Sequence, residues 1–393
     1  MLSVGGSTVS APPSPSTPGH VLFRPPPLDH REQAVLTLVE SVRRQLGQLL
    51  GEPSRWVDQL RRATLARNIQ ASNAIEGLHV DLDDAAAAVD GRPPATAAGG
   101  TWAAVTDYRD AMTYILQLAA DPHFRHGDGL LRALHFLMTR HDLAATPGLY
   151  RTGSVYVWSS ESGTRVYGGP AASAVPALVE ELVDELNGQI EVPAVIRAGM
   201  AHLNLAMIHP FRDGNGRMAR ALQTLVLARD QAPWPELASI EEYLGANGPT
   251  YYRVLSQVGG PSWSPDGDTR PWIRFVLTAH HRQATLTLRR AREAEQLWHA
   301  LDELTIDLRL DPRHVPSLHR AALGWRLDGA THATTAGVSR RQAASDLRRL
   351  SETGLLEAVD EPRGRRYGAS GRLLQLRADL GSVDSPVPDP FEV

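Results

Sequence analysis

The chain has 393 residues, 42% of them hydrophobic and 21% charged, and a net charge of −4, which is ordinary for a soluble globular protein and gives no bulk reason to expect a nucleic acid or a membrane as the main partner. It contains no cysteine, which excludes disulfides, thiol catalysis and cysteine-based metal sites. It also contains no lysine, so a bound nucleotide must be neutralised by arginines, backbone N–H groups and a metal rather than by a P-loop or kinase-type lysine.

In chain order, residues 1–30 are rich in Pro, Ser, Thr and Gly and read as a disordered arm. They lack the basic start and apolar run of a signal peptide, and no stretch approaches the ~20 apolar residues that span a bilayer. A cytoplasmic protein without a membrane partner is therefore expected. Val35, Leu36, Leu38, Val39, Val42, Leu46, Leu49 and Leu50 recur at helical spacing, and a second helix is expected through Trp56, Leu60 and Leu65 to about Ala71. Residues 31–100 form this N-terminal helical region, closed by a loop at Gly91–Gly100.

Helices are expected at about 102–119 and 129–140. Ser154–Trp158 and Thr164–Tyr167 are β-prone and flank Ser159–Gly163, a hairpin signal. Further helices are expected at about 175–186, 192–207, 216–228, 240–246, 250–258 and 271–301. Residues 101–301 thus make a mostly α core with one hairpin.

Within that core, His209-Pro-Phe-Arg-Asp-Gly-Asn-Gly-Arg-Met-Ala-Arg220 concentrates chemistry in twelve residues. Pro210 disfavours the helical region for the residue before it, so the preceding helix ends near Ile208 and His209 faces a turn. Asp213-Gly-Asn-Gly216 is a glycine-rich turn opening a new helix, an arrangement that aims N–H groups and a positive dipole at one point. Arg217 and Arg220 are three residues apart and share a helical face. Asp213 is a carboxylate beside this cationic nest, where Mg²⁺ beside phosphates is usually held. A base, a phosphate cradle, two arginines and a metal ligand are the parts needed to move a phosphorus-centred group.

This segment resembles the signature loop of the Fic (Fic/Doc) family, His-x-Phe-x-(Asp/Glu)-Gly-Asn-Gly-Arg-x-x-Arg, at every fixed position. The resemblance extends over roughly residues 35–290 and includes Gly148-Leu-Tyr-Arg151 and Tyr251-Tyr252. It implies a Fic-type helical core and transfer of AMP from ATP to a Ser, Thr or Tyr hydroxyl of a target protein, with Mg²⁺ as cofactor. His209 is then the base and Phe211 the loop's inward anchor. Asp213 binds the metal, and Gly214, Asn215 and Gly216 form the anion nest. Arg217 holds the β-phosphate side and Arg220 the γ-phosphate. The hairpin at 154–168 becomes a flap that aligns the target by strand addition. Tyr252 falls where relatives place a tyrosine near adenine, although Gly259 replaces an asparagine some of them carry. Phosphate-transferring members depart from the Gly-Asn-Gly pattern, and this sequence keeps it.

Upstream, Ser72-Asn-Ala-Ile-Glu76-Gly77 matches the family's inhibitory motif, which implies that Glu76 pairs with Arg220 in the γ-phosphate's place; a role for Glu76 in removing AMP, and self-modification, stay open. Residues 311–375 carry expected helices at 316–327 and 339–351, then strand, turn at Glu361–Gly364, strand, the pattern of a winged-helix-like domain. Residues 311–380 hold 12 arginines against 8 acidic residues, a local charge of +4, so this segment is a candidate for DNA contact or for packing in a homodimer. The alternative reading is a DNA-binding regulator whose Fic domain senses or uses nucleotide. Residues 381–393 read as a loose tail.

Overall fold

The computed structural model describes residues 21–51, 55–158, 165–188, 191–229, 235–361, 364–381 and 385–392. The hairpin tip, the turn at 362–363 with Arg363, and the first 20 residues of the expected arm lie outside them. The described chain is mostly helical, and none of its helices is long and apolar enough to cross a membrane.

Helix α1 spans His30–Leu49 and α2 spans Arg55–Ile75. They are followed by α3 (Leu82–Val89), α4 (Gly99–Ala119) and α5 (Asp128–Thr139). Strands β1 (Tyr156–Trp158) and β2 (Arg165–Gly168) pair antiparallel, with Val157 opposite Tyr167. Then come α6 (Val175–Gly188), α7 (Ala194–Ile208), α8 (Asn215–Ala228), α9 (Glu241–Ala246), α10 (Gly248–Gly259) and α11 (Arg270–Asp307).

Helices α7 and α8 are the centre of the core. Nearly every residue of both is buried, including polar ones: His202 and Asn204 of α7 and Arg217, Arg220 and Gln223 of α8. Around them pack Tyr108, Met112, Leu131, Leu134, Met138, Leu178, Val179, Trp272 and Val276. Helix α11, at 38 residues about 57 Å long, runs on from this core through Leu297 and Leu301 into a second, C-terminal cluster.

That second cluster is built from α12 (Val315–Ala322), α13 (Gly329–Ala336), α14 (Arg340–Glu352), strands β3 (Leu356–Glu361) and β4 (Gly364–Ala369), and α15 (Gly371–Asp379). The helix expected to reach Leu327 stops at Ala322. Gly324 takes a left-handed φ of 93°, and Leu327 leaves the helix to pair with Tyr367 of β4. A helix absent from the sequence reading, α13, fills the space before α14. The module is seated on the N-terminal helices. Gln59 of α2 donates to the Pro316 carbonyl at 2.8 Å and bonds His319 at 2.7 Å, and Arg320 pairs with Asp90 at 2.9 Å.

Two segments depart from expectation. The arm is not loose to residue 30: Leu22 and Phe23 are each 1% exposed. Asn204 clamps Phe23, accepting from its N–H at 2.9 Å and donating to its carbonyl at 3.0 Å, and Trp263 meets the ring edge-to-face at 5.3 Å. The proline run that follows is held as well, with Thr269 donating to the Arg24 carbonyl at 2.6 Å, Arg270 donating to the Pro27 carbonyl at 3.0 Å, and Leu28 packed on the core. The tail likewise returns: Phe391 packs on the main core beneath Arg274, and Asp389 lies 3.5 Å from Arg282.

Phe23→Ala is expected to destabilise the fold by ~3–5 kcal/mol, the usual cost of emptying an aromatic site. Urea unfolding measures it; an unchanged midpoint would mean that residues 21–29 do not belong to the folded unit.

Candidate active site

The helix before the loop ends at Ile208, where Pro210 requires it to, and His209 caps it in the left-handed region at φ 50°. Histidine is among the few non-glycine residues that occupy this region with any frequency. The turn is held by its own side chains. Asn215 accepts from the Phe211 N–H and donates to the Phe211 carbonyl, both at 2.9 Å, closing a ring across the turn. Phe211 is fully buried and anchors the loop as expected of an inward aromatic.

Beneath Phe211 lies a residue that the sequence reading missed. His135 of α5 stacks on its ring at 3.8 Å and 2°. Its Nδ1 accepts from the Gly148 N–H at 2.9 Å, so its Nε2–H donates to the Asp213 carbonyl at 3.0 Å. Burial pushes its pKa down to about 4, keeping it neutral so that it can play both parts. Gly148-Leu-Tyr-Arg151 supplies the other strut. Arg151 donates to the carbonyls of His209 (2.8 Å), Gly153 (2.8 Å) and Pro170 (2.7 Å), tying the loop's first residue to both ends of the hairpin.

His209 is half-buried, and its Nδ1 lies 3.2 Å from the Ala206 carbonyl. A carbonyl can only accept, so Nδ1 carries the proton and Nε2 keeps its lone pair. Burial first, then the nearby Arg151 charge, lowers its pKa below the ordinary value, which favours that neutral form.

The turn needs its glycines. Gly214 is left-handed at φ 75°, and a Cβ there would also meet the Thr139 methyl at 3.0 Å. A Cβ at Gly216 would overlap the Glu76 carboxylate and approach Arg220 Nη1 to 3.1 Å. Asp213 remains mostly exposed, its carboxylate 3.6 Å from Arg217. Arg217 is 4% exposed and reaches the Met138 carbonyl only at 3.4 Å, and its Nε makes no hydrogen bond.

Arg220 is 1% exposed. Its Nε donates to Ser72 Oγ at 2.8 Å, and its Nη2 to the Ser72 carbonyl at 3.0 Å and Glu76 Oε1 at 2.7 Å. Burial disfavours the charge, but Glu76 outweighs it, and the guanidinium's pKa lies above its ordinary value. Ser72 passes the contact on: it donates to the Tyr108 hydroxyl at 3.0 Å, which donates to Glu241. Burial pushes both the Tyr108 and Glu241 pKa values up. Gly77 follows with φ 78°, reversing the chain after α2. Nη1 of Arg220, buried, makes no hydrogen bond.

Tyr251 and Tyr252 separate. Tyr251 is a core aromatic bonded to His202 at 2.8 Å. Tyr252 is half-exposed and reaches the Ile75 carbonyl at 3.3 Å, beside Glu76. A further cluster, His314, His332 and Asp346, lies in the C-terminal module, where Arg313 already takes both Asp346 oxygens at 3.0 and 3.1 Å.

The model of the Fic/DOC family matches residues 128–227, the span that holds His135, the hairpin and the whole loop. The chain carries a Fic domain. It is similar to protein adenylyltransferase fic-1 of Caenorhabditis elegans, 34% identical over 129 residues, which are 31% of this chain and 23% of that protein. It is also similar to protein adenylyltransferase Fic of Drosophila virilis, 28% identical over 200 residues, 49% of this chain and 37% of that protein. The chain thus spans less than two-fifths of the length of either relative. Among solved structures, a Fic family protein from Desulfovibrio desulfuricans aligns with a TM-score of 0.55 and 27% identity over 89% of this chain and 99% of that chain. A Fic-domain signaling protein from Bacteroides thetaiotaomicron shares the fold at a TM-score of 0.53 and 22% identity, over 65% of this chain and 98% of that one.

Arg151→Ala is expected to destabilise the Fic domain by more than ~3 kcal/mol, because several buried carbonyls lose their donor at once. Arg151→Lys should recover less than half of that, since one ammonium cannot reproduce the fork. Thermal unfolding of the two variants decides it; full rescue by lysine would show that only the charge matters.

Proposed function

We propose that this protein transfers AMP from ATP to a hydroxyl of a target protein. The observation that carries the reading is one loop that holds both His209, whose neutral Nε2 keeps its lone pair, and the buried Arg217 Nε and Arg220 Nη1, which have no hydrogen-bond partner. Buried guanidinium donors left open call for an anion.

A target Ser, Thr or Tyr hydroxyl gives its proton to His209 Nε2. Its oxygen bonds to the α-phosphorus, the bond from that phosphorus to the bridging oxygen breaks, and pyrophosphate leaves. Gly214 to Gly216 direct backbone N–H groups at the phosphates from the start of α8. Arg217 serves the β-phosphate side and Arg220 the γ-phosphate. Asp213, exposed beside Arg217, is fit to hold Mg²⁺, which would offset charge on the leaving pyrophosphate. Tyr252 stands at the edge of the adenine's expected place. The hairpin β1–β2 is rooted by Tyr167, which donates to the Met207 carbonyl at 2.6 Å, and offers its edge to the target segment.

In this reading Glu76 is an internal competitor. It holds the Nη2 that the γ-phosphate requires, and the ATP pose that leaves Glu76 in place is unfit for in-line attack. Removal of AMP is the second use of Glu76, as the group that positions water.

His209→Ala should cost ~10²–10⁴-fold in label transfer from α-labelled ATP while leaving ATP binding in place. Asp213→Ala should lose most activity and its metal dependence; unaltered metal dependence would remove Asp213 from that role. The wild-type rate should stay level as pH falls through ~6.5, the ordinary histidine value, and drop only below it, because burial keeps His209 neutral to lower pH. A half-loss at the ordinary value would contradict the burial.

Glu76→Gly should raise self-modification ten- to a hundred-fold, as loss of one charge-assisted bond of ~1.5–3 kcal/mol implies. Adding Arg220→Ala should abolish that gain, because both residues act through one contact. If Glu76→Gly instead lowers activity and AMP groups persist longer on the protein, Glu76 serves removal.

A further inference from the structure

Helices α13 and α14 are joined by three residues, Gly337, Val338 and Ser339. Gly337 is left-handed at φ 67°, and Ser339 caps α14 by accepting from the Gln342 N–H. Two helices joined by a turn of this length with glycine in it are the helix-turn-helix unit, whose second helix is the one that enters the major groove.

The module presents that second helix outward. Its opposite side is taken: α12 is bound to α2 through Gln59 and His319, and Arg377 of α15 pairs with Glu293 of α11 at 2.7 Å. On α14 itself Ala343, Asp346, Leu347 and Leu350 face inward and are buried. Arg340, Arg341, Gln342, Ala344, Ser345, Arg348 and Arg349 are exposed.

Arg341, Ala344, Ser345 and Arg348 lie along one stripe of the helix. Two arginines flank two small residues, a profile that lets a helix axis approach a partner closely while its guanidinium groups reach past it. Among the described residues Arg340, Arg341 and Arg348 make no ion pair. The inward Asp346 is held by Arg313 and Gln342, so it does not neutralise them. Glu352, the one exposed acid of the helix, sits at the far C-terminal end. On a chain of net charge −4, this is a local basic face.

We propose that α14 docks in the major groove of duplex DNA, with Arg341 and Arg348 reaching the phosphates and base edges on either side of Ala344 and Ser345. Charge complementarity and helix-turn-helix spacing both point to this occupant, and the proposal is independent of what His209 does.

The test is fluorescence anisotropy of a labelled mixed-sequence duplex titrated with the full chain at ~50 and ~200 mM salt. Binding should weaken steeply as salt rises. Arg341→Ala with Arg348→Ala should lower affinity at least tenfold and reduce the salt slope by about two, one for each phosphate-facing charge removed. Arg341→Glu should lower it further, and circular dichroism should show each variant folded. Absence of binding at low salt overturns the proposal, as does a double variant that binds like wild type. Equal competition by single-stranded DNA overturns groove docking. Equal competition by vesicles of anionic lipid or by polyglutamate assigns the face to another partner and overturns it too.

Discussion

A guanidinium with almost no contact with water cannot be left without partners, and the centre of this protein is organised around one. Arg220 is charged at any pH the protein meets, so the cost of its burial must be offset by groups brought to it. Three pieces of chain far apart in sequence converge to do so: the end of α2 with Ser72 and Glu76, Tyr108 on α4, and Glu241 at the start of α9. Glu76 meets the arginine directly, while Tyr108 and Glu241 reach it through Ser72. The requirement explains why the N-terminal helices are an integral wall of the Fic domain rather than an appendage.

The loop itself is pre-shaped by a different set of forces. Asn215 closes a ring on Phe211, His135 supports the ring of that phenylalanine from below, and Arg151 binds the carbonyl of His209 from the hairpin side. A histidine in a left-handed conformation costs energy that these contacts offset. Little reorganisation is then left for the moment when charge develops at phosphorus, which is the condition under which fixed dipoles are most effective.

Much of this was legible in the sequence because it is local. Proline after His209, two glycines and a pair of arginines one turn apart specify where a helix stops, how the chain turns and which side chains share a face. The amphipathic helices were legible for the same reason, to within a few residues at most ends. Helix α3 was not, since four consecutive alanines give no contrast between faces. Nor was α13, a short Thr-, Ala- and His-containing segment without an apolar stripe. Its helical state is settled by Asp328 capping its start and Gly337 its end. His135 sits at the spacing of Leu131, Leu134 and Met138, where a histidine ordinarily reads as core. Phe23 and Phe391 lie in proline-rich stretches, and packing partners more than a hundred residues away decide that they are folded. The pairing of Tyr108 with Glu241 is equally a product of tertiary packing, and no spacing encodes it.

Helix α2 touches two different parts of the molecule with two different stretches. Its end carries Ser72 and leads into Glu76 at Arg220, while Gln59, about 24 Å earlier along the axis, grips the Pro316 carbonyl and His319 of the C-terminal module. A helix that is hydrogen-bonded throughout and packed on several sides is stiff over that length. A tilt imposed at one end is therefore felt at the other as displacement, as with a beam resting on two supports. One helix thus both seats the C-terminal module at residue 59 and leads, just past its end, into the Glu76 carboxylate.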